Sequence, residues 1–123
     1  MYKLAFALPF LFALWLANPA YAVEVNGIIQ IMDQNNKVIV KKNITFEEGD
    51  TIYDITKNNF DVTETNGMIS GINGLVEKPT ENIHWAAFID GKFVEISPDD
   101  VGLYANNILT WALRDFDKQE IMK

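Results

Sequence analysis

Alternation of apolar and polar residues predicts the clearest strand of the chain at residues 83–89. The apolar members of the alternation are Ile83, Trp85, Ala87 and Ile89. A period of two is the pattern of a strand with one buried face. Asp90-Gly91 follows at once, and this pair favours a type I′ turn because both central residues need a positive φ. The pattern therefore predicts a hairpin whose return strand covers residues 93–96.

The beginning of the folded region predicts another hairpin, over residues 23–46. Apolar residues recur on both sides of Asp33-Gln34-Asn35-Asn36, and Asx side chains stabilise turns by bonding to their own backbone. A short helix is expected next, with Asp50 or Thr51 as its cap and Asp54 three residues after Thr51. Each candidate cap has a side-chain oxygen that can accept a hydrogen bond from the first turn.

The remaining residues predict two further strands and one helical turn. Residues 61–67 are rich in Thr, Asn and Gly and are expected to form a loop. Residues 68–76 are mainly apolar and are expected to form one strand, with its glycines marking a bulge or a close backbone approach. Ser97-Pro98-Asp99-Asp100 has the order of a helix start, with Ser as cap and Pro in the first position. Residues 108–113 are expected to form the last strand.

This order of elements predicts an α+β fold. A hairpin, a short helix, a strand, a second hairpin and a final strand indicate a small β-grasp-like mixed sheet with one short helix. A pure β-sandwich is the main alternative. No repeat, linker or low-complexity segment interrupts the order, so the folded region is expected to be one domain.

The first 22 residues have the features of a secretory signal peptide. Lys3 precedes an apolar run over residues 4–16, and the segment ends in Ala-Tyr-Ala at residues 20–22. Signal peptidase needs small side chains at the first and third positions of that motif, and the run is short for a membrane span. We therefore expect an exported protein, periplasmic or secreted and free of the membrane after cleavage. Residues 23–113 would form the domain and residues 114–123 a charged tail.

Composition narrows the classes of function. The net charge of −7 disfavours nucleic acid as a partner, since binding to phosphates needs a basic patch. The absence of cysteine excludes thiol catalysis and cysteine-bound zinc. Asp33-x-Asn35 begins like a calcium loop, but Lys37 and Ile44 occupy two of the later ligand positions, which excludes an EF-hand. No catalytic constellation is visible, so the sequence predicts a protein that is not an enzyme and that requires no cofactor.

Aromatic residues and one histidine are the candidates for ligand contacts. They are His84, Trp85, Phe88, Phe93, Tyr104 and Trp111. A histidine can bind a metal through a neutral nitrogen, but on a strand it more often belongs to a hydrogen-bonded structure. The two tryptophans alternate with aliphatic residues and are expected in the core, while the functional alternative is a flat aromatic surface for a planar ligand. The nearby carboxylates are explained by a hairpin turn and a helix start.

Four motifs in a fixed order resemble a known family. They are Thr45–Asp54, Ile69–Gly74, His84–Lys92 and Leu103–Ala112. Their order is similar to that of the transcobalamin-like C-terminal domain, which occurs in bacterial exported proteins and as the smaller domain of cobalamin carriers. The resemblance covers roughly residues 24–113. Four positions depart from the family pattern: His84 replaces an aromatic residue, Asp90 replaces Asn, and Asn106-Asn107 replaces Gly-Asp.

The resemblance implies a non-enzymatic exported binding domain whose ligand is cobalamin or a related corrinoid. It also implies that the hairpin at residues 83–93 and the segment at residues 104–111 cradle that ligand. In the carriers a large helical domain covers the other side of cobalamin, so an extracytoplasmic partner protein is expected to supply that half here. The alternative is a cell-envelope protein-interaction module without a small-molecule ligand, which would pair through an open sheet edge.

Overall fold

The computed structural model describes residues 23–118. Its strands are β1 (Glu24–Met32), β2 (Val38–Glu47), β3 (Val62–Thr65), β4 (Met68–Ile72), β5 (Leu75–Val76), β6 (Ile83–Ile89), β7 (Lys92–Phe93) and β8 (Ile108–Asp115), and its helix is α1 (Ile52–Asn59). The predicted signal segment, residues 1–22, and the last five residues of the predicted tail lie outside the described residues. Within residues 23–118, no helix is long and apolar enough to cross a membrane.

The main sheet has five strands in the order β2-β1-β8-β6-β7. β1 and β8 run parallel at its centre, and the other neighbours are antiparallel. A parallel central pair needs a crossover connection, which is supplied by α1 and the strands that follow it. This mixed sheet with one short helix confirms the predicted α+β, β-grasp-like fold rather than the β-sandwich alternative.

The small second sheet corrects two predictions. β3 lies within residues 61–67, which were expected to form a loop, and the single strand expected over residues 68–76 is split into β4 and β5. β3 is almost entirely exposed, and its polar composition therefore looks like that of a loop. Asn73 and Gly74 have φ values of 51° and 84°, so Gly74 marks a hairpin turn. The predicted bulge lies beside Gly71, where the β3–β4 register shifts between Thr63 and Glu64.

Helix α1 begins where a capping box was expected. The Asp54 backbone N–H donates to Thr51 Oγ1 at 3.1 Å, which makes Thr51 the N-cap of the two candidates. Asp50 instead accepts a bond from the Glu47 backbone N–H at 3.1 Å. The buried side of the helix consists of Ile52, Ile55 and Thr56, and it packs against one face of the main sheet.

The two faces of the main sheet have different environments. The inner face packs against α1 and the second sheet and carries Ile29, Trp85 and Trp111. The outer face carries Gln30, Phe88 and Thr110, and its buried residues form a separate small cluster. Trp85 and Trp111 are therefore in the core, as their alternation with aliphatic residues predicts, with 7% and 3% of their surface exposed.

The second hairpin differs from its prediction only in length. Asp90 and Gly91 have φ values of 51° and 83°, as a type I′ turn requires. The return strand β7 stops at Phe93 rather than continuing to Ile96, and β8 runs to Asp115 rather than stopping at residue 113.

The expected helical turn is a single 3-10 turn at Pro98–Asp100, and the Ser97 side chain does not cap its backbone. Ser97 Oγ bonds to Asp99 Oδ1 instead.

Candidate functional site

A cleft of about 140 Å³ opens on the inner face beside the second sheet, and we call it the inner cleft. Its floor is formed by Trp85, Ala87 and Trp111 of the main sheet. One wall is the β3–β4 turn with Met68, and the opposite wall is the segment from Phe93 to Asp99. The cleft is therefore built from three parts of the chain that are distant in sequence.

The floor presents aromatic carbon rather than polar groups. Trp85 Nε1 donates to the Ser70 backbone oxygen at 3.2 Å, and Trp111 Nε1 donates to Thr56 Oγ1 at 2.7 Å. Thr56 Oγ1 in turn donates to the Ile52 backbone oxygen at 2.7 Å. Since both indole N–H groups are already bonded within the protein, a molecule in the inner cleft would meet apolar ring surface.

The rim of the inner cleft is unusually apolar for exposed surface. Met68 and Ile96 are 66% and 62% exposed, and they stand on opposite walls. Tyr53 lines the cleft from helix α1 and donates its hydroxyl to the Gly67 backbone oxygen at 3.2 Å, which ties the β3–β4 turn to the helix. Exposed large apolar side chains at the mouth of a cleft are typical of a binding surface.

Acidic groups give the inner cleft its polar character. Glu77 and Asp99 both line it. Glu77 Oε2 accepts a bond from the Trp85 backbone N–H at 2.9 Å, which fixes that carboxylate at the edge of the floor. Across residues 23–118, no three His, Cys, Asp or Glu side chains are grouped so as to hold a metal ion.

The structure brings half of the six candidate ligand residues to the inner cleft. Trp85 and Trp111 line it, and so does Phe93, although the Phe93 ring packs against Phe88 of the outer cluster with 5.7 Å between centroids. His84 and Phe88 lie on the outer face, because the period of two that places Trp85 inward turns its neighbours outward. Tyr104 is 54% exposed and does not line the cleft.

His84 lies in a polar corner of the outer face. Its Nε2 is 3.1 Å from Asn82 Oδ1, and its Nδ1 is 3.6 Å from Glu77 Oε2. The imidazole also contacts the Phe116 ring edge to face, with 5.4 Å between centroids. These contacts give His84 a structural, hydrogen-bonded role, which is the role that its position on a strand favours.

A hydrogen-bonded latch joins the β6–β7 turn to the start of β8. Asp90 Oδ1 accepts from the Ile108 backbone N–H at 2.8 Å, and Asp90 Oδ2 accepts from Asn107 Nδ2 at 2.8 Å. Asn107 Oδ1 accepts from the Tyr104 backbone N–H at 2.8 Å. Two of the positions at which this chain departs from the motifs it resembles, Asp90 and Asn107, therefore bond to each other.

Two residues that line the cleft and one that supports its floor were not identified from the sequence. Met68 and Ile96 are 28 positions apart and line one cleft only because the second sheet lies beside the floor. Thr56 is fully buried and holds Trp111, although it lies on a helix whose apolar pattern gives no sign of a polar anchor. The only feature of the sequence that could have identified this anchor is a single threonine on the buried side of α1, four residues after Ile52.

The fold and the inner cleft together define a small domain of the β-grasp type. The profile of the family described as "Domain of unknown function (DUF4430)" matches residues 49–115, and the chain belongs to this family. None of the curated proteins matches the chain.

Solved structures with this fold include two that differ strongly in size. Haptocorrin in complex with Cbi is similar at a TM-score of 0.59 and 13% identity, and the likeness covers 79% of this chain and 27% of the haptocorrin chain. A suggested metal-binding protein from Ruminococcus gnavus ATCC 29149 is similar at a TM-score of 0.56 and 10% identity, covering 74% of this chain and 97% of that chain. At these identities the comparison shows a shared fold.

Proposed function

We propose that this protein is an exported, non-enzymatic binding domain that takes one side of a corrinoid into the inner cleft. The observation that carries the proposal is the apolar cleft floored by Trp85 and Trp111, in a fold that is shared with haptocorrin in complex with Cbi. The motif resemblance to the transcobalamin-like C-terminal domain supports the same class of ligand. Cobalamin is the expected natural ligand, and no catalytic step is assigned to the protein.

The size of the inner cleft sets how the ligand would bind. Sites that enclose small molecules usually measure roughly 300–1,000 Å³, whereas the inner cleft measures about 140 Å³. It fits one edge of a corrinoid or one of its side groups, not the whole macrocycle. The protein alone should therefore bind with modest affinity, and an extracytoplasmic partner protein is expected to cover the other side of the ligand.

The apolar rim supports contact with a large planar molecule. Met68 and Ile96 are exposed on opposite walls, so a ligand edge inserted between them would remove apolar surface from water on both sides. This burial contributes roughly 25 cal/mol per Å². Because the rings of Trp85 and Trp111 lie just below, insertion should change their fluorescence.

The test is a titration of the purified protein with cyanocobalamin, aquocobalamin and cobinamide, followed by tryptophan fluorescence and corrin absorption. Saturable quenching with a Kd tighter than millimolar is expected. Met68→Ser should weaken binding because it removes one wall of the rim, and Val23→Ser is the matched control, since Val23 is equally exposed but lies away from the inner cleft. Quenching that never saturates below millimolar corrinoid would rule the proposal out.

A protein-interaction module is the second candidate, and the edge of the main sheet favours it. Within the described residues β2 pairs only with β1, so one side of this ten-residue strand is unpaired. Val38 and Ile39 on it are 46% and 49% exposed. An unpaired strand edge is a template for pairing with another chain.

Sedimentation velocity over a range of protein concentrations tests this second candidate. Concentration-dependent association that is lost in Ile39→Lys would support pairing through β2. A monomer at every concentration, with no envelope protein bound in pull-down experiments, would count against it. The corrinoid titration is independent of this result, because the inner cleft and the β2 edge share no residues.

A further inference from the structure

Arg114 has an unusual environment on the outer face. Its guanidinium carbon lies 5.7 Å from the centroid of the Phe88 ring, and its only hydrogen bond within the described residues is to the Leu113 backbone oxygen at 3.0 Å. No carboxylate oxygen of residues 23–118 lies within 4.0 Å of it. Burial lowers the pKa of Arg114, and the charge of Asp33 opposes this effect. The guanidinium therefore has donors that the described part of the protein does not use.

Asp33, the acid whose charge acts on this arginine, forms no ion pair with it within the described residues. Asp33 Oδ1 accepts bonds from the Asn35 and Lys37 backbone N–H groups at 2.8 and 2.9 Å, which hold its carboxylate in the β1–β2 turn. The outward strand positions next to Arg114 are His84, Ala112 and Met32. Arg114 is therefore a cation that no carboxylate of residues 23–118 pairs with directly, in a chain whose net charge is −7.

A groove of about 450 Å³ runs over the outer face from Arg114 to the β6–β7 turn, and we call it the outer groove. Met32 and Phe88 line its sides, and Gly91 lies at its far end. Since β8 advances about 3.3 Å per residue, Thr110 and Arg114 are about 13 Å apart along the groove. Its volume lies within the range of roughly 300–1,000 Å³ that is usual for small-molecule sites.

The polar residues in the middle of the outer groove are already paired. Gln30 Nε2 donates to Thr110 Oγ1 at 2.8 Å. Phe88 and Ala112 form the adjacent apolar cluster with Phe93 and Met32. A ligand lying along β8 would therefore need one anionic end for Arg114 and an apolar body for the rest of the groove.

We propose that the outer groove is a second ligand site, specific for an elongated monocarboxylate with an apolar body. The carboxylate would accept hydrogen bonds from the free edge of the Arg114 guanidinium, which is suited to paired recognition of two oxygens. The body would lie along Met32 and Phe88, which line the groove. This site is on the opposite face of the sheet from the inner cleft and does not depend on corrinoid binding.

The test uses decanoate, below its micelle concentration, with decanol and decylamine as matched probes. Two-dimensional NMR would follow the Met32 methyl group, the Gly91 amide and the Arg114 Nε–H group. Saturable shifts at all three are expected with decanoate, and much weaker shifts with the neutral and cationic probes. Arg114→Gln should weaken decanoate binding about tenfold or more, since a hydrogen bond to a charged group is lost, while Arg114→Lys should retain part of the affinity.

Lys118→Gln is the matched control, because it removes one positive charge near the end of β8 without touching the outer groove. Thermal melts would establish that the Arg114 variants are folded, as expected from the single backbone bond of that side chain. Three results would each overturn the proposal. Decanol could bind as tightly as decanoate, or Arg114→Gln could leave the decanoate affinity unchanged. The shifts could also fall on the indole N–H groups of Trp85 and Trp111 instead of on the groove residues.

Discussion

Thr56 is the polar residue on which the position of Trp111 depends. Its hydroxyl accepts from the indole N–H at 2.7 Å and donates to the Ile52 backbone oxygen, and both side chains are buried. Thr56→Val keeps the shape of the side chain but leaves the indole N–H without a partner. Loss of a partner for a buried donor costs about 1–3 kcal/mol.

We therefore expect Thr56→Val to lower the free energy of unfolding by about 1–3 kcal/mol, measured by urea denaturation. Thr56→Ser is the control, because it keeps the hydroxyl and should lose less stability. If Thr56→Val were as stable as the natural protein, the hydrogen bond would not be what anchors Trp111 to α1.

The hydrogen-bonded latch between Asp90 and Asn107 leads to a second prediction at the scale of single residues, on the stability of variants at these two positions. Asp90→Asn would set two amide groups against each other as donors, and Asn107→Asp would set two carboxylates against each other. Each single variant should lose about 1 kcal/mol of stability. The double variant reverses the donor and the acceptor together, so it should return close to the natural stability.

A double-mutant cycle of unfolding free energies measures this coupling, which should lie in the range of about 0.5–3 kcal/mol that is usual for residues in contact. Additive losses in the double variant would mean that the two side chains do not act as a pair.

At the scale of elements, the β1–β2 turn should give the first hairpin a dependence on pH. Hydrogen bonds from the Lys37 and Asn35 backbone N–H groups hold the pKa of Asp33 below its ordinary value of 3.8. A carboxyl whose pKa is lowered on folding stabilises the protein above the unfolded-state pKa, and the effect is lost as the pH falls through the folded-state pKa.

Asp33→Asn should therefore be less stable than the natural protein at neutral pH, and the difference should shrink as the pH falls below 3.8. Urea denaturation at a series of pH values measures it. Asp61→Asn is the control, since the Asp61 side chain accepts no hydrogen bond within the described residues. A difference for Asp33→Asn that stays constant with pH would contradict this role for the carboxylate.

At the scale of the whole molecule, the main sheet places candidate ligand residues that are neighbours in sequence, such as His84 and Trp85, on opposite faces. His84 is on the outer face, and the corrinoid proposed for the inner cleft would lie on the opposite side. His84→Ala should therefore leave both the corrinoid affinity and the absorption bands of bound aquocobalamin unchanged. A shift of those bands that disappears in His84→Ala would place the corrinoid on the outer face and contradict the assignment of the inner cleft.

Local chemistry explains what the sequence by itself determined. The positive φ values of Asp90 and Gly91, the start of α1 near Thr51 and the shared face of Ile83 and Trp85 all follow from preferences within a few residues. The alternation along residues 83–89 also separates His84 from Trp85, because a strand turns successive side chains to opposite faces. These features do not depend on where the rest of the chain lies.

Only the tertiary structure decided which of those faces α1 and the second sheet would cover. The polar residues of β3 form a strand because β4 supplies their hydrogen-bonding partner, and nothing in Val62–Thr65 itself requires it. Met68 and Ile96 become two walls of one cleft because the second sheet folds over the inner face. Arg114 remains without a carboxylate partner among the described residues because Asp33, whose charge acts on it, is held in the β1–β2 turn by backbone N–H groups. Each of these outcomes depends on contacts between distant segments, whose packing outweighs local preference.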